Sequence, residues 1–155
     1  MKNIFTAAAI LIFALHFNYV WADASVPAPN LDLDLAKKIA AKSEAFAKAK
    51  KWNLSIAIVN SEGTLLYFQR DPAAYLGSVE AAIQKAKSAN AFQRSTAAFV
   101  EGLKQGRMGL LSVPGIVAIE GGLPIQLSGK HVGAIGISGA KSLEDEEAAQ
   151  AGLLD

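Results

Sequence analysis

The chain has 155 residues, 52% of them hydrophobic, which is enough to build one core and too little for two domains once an export segment is removed. Its formal net charge of +1 argues against a nucleic-acid partner, which would require a basic field to displace counterions. With no cysteine, the sequence excludes disulfides, thiolate catalysis, thiolate haem ligation and cysteine zinc sites.

The N-terminal stretch has the layout of a secretory signal peptide. Lys2 supplies a positive start, and Ile4 to Phe17 is an apolar run broken by Thr6 and His16. Val20-Trp21-Ala22 and Ala22-Asp23-Ala24 both offer the small residues that signal peptidase accepts, so cleavage is expected after Ala22 or Ala24. A membrane anchor is the alternative, but a spanning helix needs about 20 continuous apolar residues and Asn18 arrives early. The expected organisation is a signal peptide at 1–22, an extended leader at 23–30 with Pro27 and Pro29, and a domain at 31–155. No later segment is apolar enough to span a bilayer, and processing leaves His131 as the one histidine, too few for a multi-histidine metal centre. The expected location is the periplasm or the medium.

Asp32 or Asp34 can cap a first helix running to about Lys51. Leu35, Ile39 and Phe46 share one face of it, and Lys37, Lys38, Lys42 and Lys48 face outward. That lysine cluster reads as a solvated face or as a surface for an anionic partner. Leu54 to Val59 is rich in β-branched residues, Asn60-Ser61-Glu62-Gly63 is a turn, and Thr64 to Arg70 returns, giving a β-hairpin. Ser78 opens a second helix with Glu80 in its first turn, and a stripe of mostly small residues allows close approach. Thr96 caps a shorter third helix ending near Gly106. Ile116 to Ile119 reads as a short strand, followed by Leu123 to Leu127 and Lys130 to Ser138 around a Ser128-Gly129 turn. Ser142 caps a final acidic helix. The resulting fold class is α/β (α+β): a single domain with an antiparallel five-stranded sheet flanked by helices.

Several constellations invite chemistry. The glycines of Gly133-x-x-Gly136-x-Ser138-Gly139 fall inside a strand, whereas a nucleotide loop needs them between strand and helix. His131 with Ser128 or Ser138 lacks the strand–turn–helix elbow of a serine nucleophile. Arg70-Asp71 at a strand end can bind a substrate or organise its loop. Lys85 lies on the small-residue face of the second helix, with Arg94 and Thr96 further along, and could meet the carboxylates of a ligand or be a solvated cation.

Taken together, these motifs resemble the GlcG/HbpS-like family, which includes the C-terminal domain of PduO-type proteins. The resemblance covers nearly the whole mature chain. It rests on Tyr67-Phe68-Gln69-Arg70-Asp71, Gly77-Ser78, Lys85-Ala86-Lys87-Ser88-Ala89, Phe92-Gln93-Arg94-Ser95-Thr96 and Pro114-Gly115. It continues through Gly121-Gly122-Leu123-Pro124-Ile125, Gly133 to Gly139, Asp145 and Ala151-Gly152-Leu153. It implies a profilin-like fold, assembly into homo-oligomers, and haem or another tetrapyrrole as ligand, with a sensor kinase as partner in one exported relative. Haem degradation has been credited to some members. Lys85, Arg94, Arg70, Thr96 and His131 are the cofactor-binding candidates, and Thr96 or His131 is the candidate iron ligand. An alternative is an enzyme or accessory protein acting on a small carboxylated metabolite, with Lys85, Arg70 and Asp71 at its site. Another is a structural or sensor-partner module without a ligand.

Overall fold

A computed structural model describes residues 29–153. The expected signal peptide and most of the leader lie outside these residues. Helix α1 (Leu33–Lys50) starts where Asp32 accepts a 2.8 Å hydrogen bond from the Leu35 amide, an N-cap that satisfies one orphan donor. Strands β1 (Ser55–Asn60) and β2 (Leu65–Arg70) form the expected hairpin. The Asn60 side chain holds its turn by accepting from the amides of Glu62 and Thr64. Helix α2 (Gly77–Phe92), helix α3 (Ala97–Lys104) and a 3-10 turn at Met108–Ser112 follow. Strands β3 (Gly122–Leu127) and β4 (Lys130–Ser138) and helix α4 (Ser142–Leu153) close the chain.

The sheet runs β2-β1-β4-β3, antiparallel throughout. Alternation in β1 and β4 sends Ile56, Ile58, Ile135 and Ile137 to the face covered by α1 and α4, where they are at most 2% exposed. Each such side chain contributes roughly 1.5–3 kcal/mol of burial. The other face shows Ala57, Val59 and Ala134 to Ala82, Ala86 and Ala89 of α2. The small-residue stripe is therefore a packing surface, close enough that Gly136 of β4 lies directly beneath the Ala82 carbonyl and the Ala86 amide.

Among the described residues four strands form, not the five expected. Ile116–Ile119 forms no strand, and the Val117 amide is satisfied instead by Ser88 Oγ of α2, at 3.0 Å. The outer edge of β3 is closed to a further strand. Gly122 gives its N–H and C=O there to Thr96, and Pro124, next on that edge, has no N–H to offer. Two expected helix starts also differ. Ser78 Oγ donates to the Tyr75 carbonyl at 2.6 Å and so must accept from Ser55 Oγ, bracing α2 on β1. At α4, Glu144 reaches back to the Lys141 amide in the manner of a capping box, and Ser142 is already inside the helix.

Candidate functional site

The motif residues converge on one buried polar junction that ties α2, α4, β4 and the start of β3 together. Lys85 is 2% exposed, and its Nζ donates to the Ile137 carbonyl and to Asp145 Oδ2, both at 2.8 Å. Asp145 Oδ1 accepts from the Ala140 amide at 3.0 Å. Burial pushes the Asp145 carboxyl up, while the Lys85 ammonium and the Ala140 N–H pull it down. Glu146 bridges the Ser95 hydroxyl at 2.7 Å and the Gly121 amide at 2.6 Å. Thr96 is fully buried; its Oγ1 accepts from the Gly122 amide at 3.0 Å, and its own amide donates to the Gly122 carbonyl at 2.9 Å. Its expected role as a helix cap is absent, and the Ser95 hydroxyl accepts from the Ala97 amide instead.

Gly121 and Gly122 have a packing reason. A Cβ on Gly121 would lie 2.7 Å from the Ile137 carbonyl oxygen, and one on Gly122 would lie 2.7 Å from the Thr96 methyl. The expected meeting of Lys85 with a ligand carboxylate is thus replaced by its meeting with Asp145.

The other candidates lie apart. Arg94 is exposed, with a 3.4 Å contact from Nε to the Phe92 carbonyl. Arg70 donates to the Ala74 carbonyl at 2.8 Å and to the Pro72 carbonyl at 3.2 Å, organising the loop that Asp71 begins. Lys85, Arg70 and Asp71 accordingly form no common site. His131 faces α2, where its Nε2 meets Asn90 Oδ1 at 2.8 Å. Asn90 donates its amide nitrogen to the Ser61 carbonyl, so its oxygen is what His131 sees, and Nε2 must carry the proton. Nδ1 is then the bare nitrogen, buried without a partner.

Burial lowers the His131 pKa below its ordinary value of 6.5. A depressed imidazole pKa means that the unfolded chain takes up the proton first, so stability is lost as pH falls below that value. Thermal melts should show this loss as pH falls through the ordinary imidazole value of 6.5, and His131→Gln should remove it at a cost of about 1 kcal/mol near pH 7.5. An equally sloped profile in His131→Gln would assign the titration elsewhere.

A cavity lies on the opposite face of the sheet from His131. It is a groove of about 650 Å³ between the edge strand β3 and helices α1 and α4. Leu123, Ile125 and Leu127 of β3 face Leu35 and Ile39 of α1 and Leu153 of α4. Lys38 and Lys42, one helical turn apart, line it with Ser95, Gln126 and Gln150. Sequence reading grouped these two lysines with an outward face and missed the groove. The available signal was their helical spacing from Leu35 and Ile39, but the facing strand cannot be assigned without the tertiary fold. Among the described residues no group of three His, Asp or Glu side chains converges for a metal, and no helix is long and apolar enough to cross a membrane.

An antiparallel sheet with helices on both faces, built around glycines at close contacts, defines the class of protein. The family described as haem-degrading protein HbpS-like matches residues 31–154, and the chain belongs to it. The chain is 30% identical over 113 residues to protein GlcG of Escherichia coli strain K12, covering 70% of this chain and 81% of that protein. The crystal structure of a PduOC–haem complex superposes with a TM-score of 0.75 at 26% identity, covering 81% of this chain and 94% of that one. A double mutant of HbpS from Streptomyces reticuli gives a TM-score of 0.74 at 28% identity, covering 96% and 97%.

Proposed function

We propose that the protein binds haem or a related tetrapyrrole in the groove beside β3, outside the cytoplasm. The groove carries this reading. Its volume of about 650 Å³ falls within the roughly 300–1,000 Å³ of small-molecule sites, and its walls are mostly aliphatic. Lys38 on α1 complements the acid groups that a tetrapyrrole keeps at its rim. Family membership and the likeness to a PduOC–haem complex support the same ligand. The fit is to the ring and its carboxylates. Haem supplies a redox-active iron, and the chain's own part is to bind and orient the ring. Titrating hemin into the protein should give a saturable Soret shift. Lys38→Glu should weaken it about threefold to tenfold, because charge reversal replaces a surface attraction by a repulsion. No saturable shift would end this reading.

Export rests on the Lys2 start and the Ile4 to Phe17 run. N-terminal sequencing of the secreted form should begin at Asp23 or Ser25, and recovery of Met1 in a membrane fraction would overturn export.

A further inference from the structure

Iron takes its axial bond from an imidazole, thiolate, thioether or phenolate. The described residues that line the groove include none of these: the walls are Leu, Ile, Pro and Gly, and the polar groups are Lys38, Lys42, Ser95, Gln126 and Gln150. Ser95 is the one hydroxyl, and it already donates to Glu146 and accepts from the Ala97 amide. A lysine ammonium has three donors and no lone pair to offer a metal.

The two donors expected from the sequence are no nearer to serving. The Thr96 hydroxyl is fully buried and accepts from the Gly122 amide. His131 keeps a bare Nδ1, but the sheet stands between it and the groove, and that nitrogen is covered by protein. What remains in the groove is an aliphatic slot with Lys38 at the α1 side, a recognition pattern for a flat apolar acid and not for a metal centre.

We infer that the groove recognises a tetrapyrrole by its ring and carboxylates without an axial bond from its own lining, so that a metal-free porphyrin dicarboxylate binds as tightly as hemin. This rests on the tetrapyrrole reading given above. The occupant class is thus wider than haem: it includes the metal-free ring and rings carrying other metals.

The test compares hemin with metal-free protoporphyrin IX on the intact mature protein, using the Soret band for the first and porphyrin fluorescence for the second. The expected result is two dissociation constants within about threefold of each other, both weakened by the same factor in Lys38→Glu. Hemin binding with metal-free porphyrin more than tenfold weaker would overturn the inference and leave the tetrapyrrole reading standing. Binding of neither would overturn both. Equal binding that Lys38→Glu leaves untouched would overturn the assignment to this groove.

Discussion

Replacing Lys85 by methionine is expected to destabilise the fold by about 3–5 kcal/mol near neutral pH, the usual cost of leaving a buried charge without its partner. The loss is large because Asp145 is 2% exposed and Lys85 Nζ supplies the hydrogen bond to its Oδ2, leaving only the Ala140 amide on Oδ1. The Ile137 carbonyl would lose its contact with the ammonium as well. The pH dependence carries a definite sign. Burial already raises the Asp145 pKa above its ordinary 3.8, and removing the opposing ammonium raises it further. A raised carboxyl pKa favours the folded state while the group is protonated and loses that stabilisation as pH rises through the folded value. The deficit of Lys85→Met should therefore shrink as pH falls from neutrality toward the ordinary aspartate range. Denaturant unfolding at several pH values measures this, and a deficit constant with pH would contradict it. Lys85→Met combined with Asp145→Leu should recover most of the stability, since an apolar pair replaces an orphaned charge.

Gly136→Ala is expected to be comparably damaging. Its Cβ would be driven into the Ala82 carbonyl oxygen and the Ala86 amide nitrogen, both backbone atoms of a helix that cannot rotate away. Overpacking usually costs about 1–3 kcal/mol, and a clash with helix backbone lies at or beyond the upper end. The strand could yield only by lifting α2 from the sheet, which would open the contact of Ala57 and Ala134 with Ala82 and Ala86. A soluble Gly136→Ala protein with unchanged thermal midpoint would refute the close packing of α2 on β4.

These two positions also explain what could be read in the sequence. The hairpin through Asn60-Ser61-Glu62-Gly63, the helix opened by Asp32 and the long helix over the small-residue stripe are local patterns, and each formed nearly where periodicity put it. The fifth strand was not legible. Whether Ile116–Ile119 pairs depends on an edge that Thr96 and Pro124 close, and Thr96 lies twenty residues earlier. Lys85 was recognisable as unusual, but not as buried. A lysine on a face of alanines reads alike whether it meets a ligand's carboxylate or Asp145, sixty residues on. Most of the motif residues hold the architecture together, while the groove is walled by motif positions of β3 and α4 and by α1 residues outside any motif. Leu35, Ile39, Leu123 and Ile125 are unremarkable apolar positions until α1 and β3 stand side by side.

The location of the ligand is tested most directly by paramagnetic broadening of amide signals as hemin is added to isotope-labelled protein. Binding in the groove should selectively broaden signals from Leu35 to Lys42 of α1 and from Leu123 to Leu127 of β3, leaving the His131–Asn90 region on the opposite face comparatively sharp. Loss of the His131 and Asn90 signals first, with the α1 and β3 signals retained, would move the site to the other side of the sheet and contradict the groove.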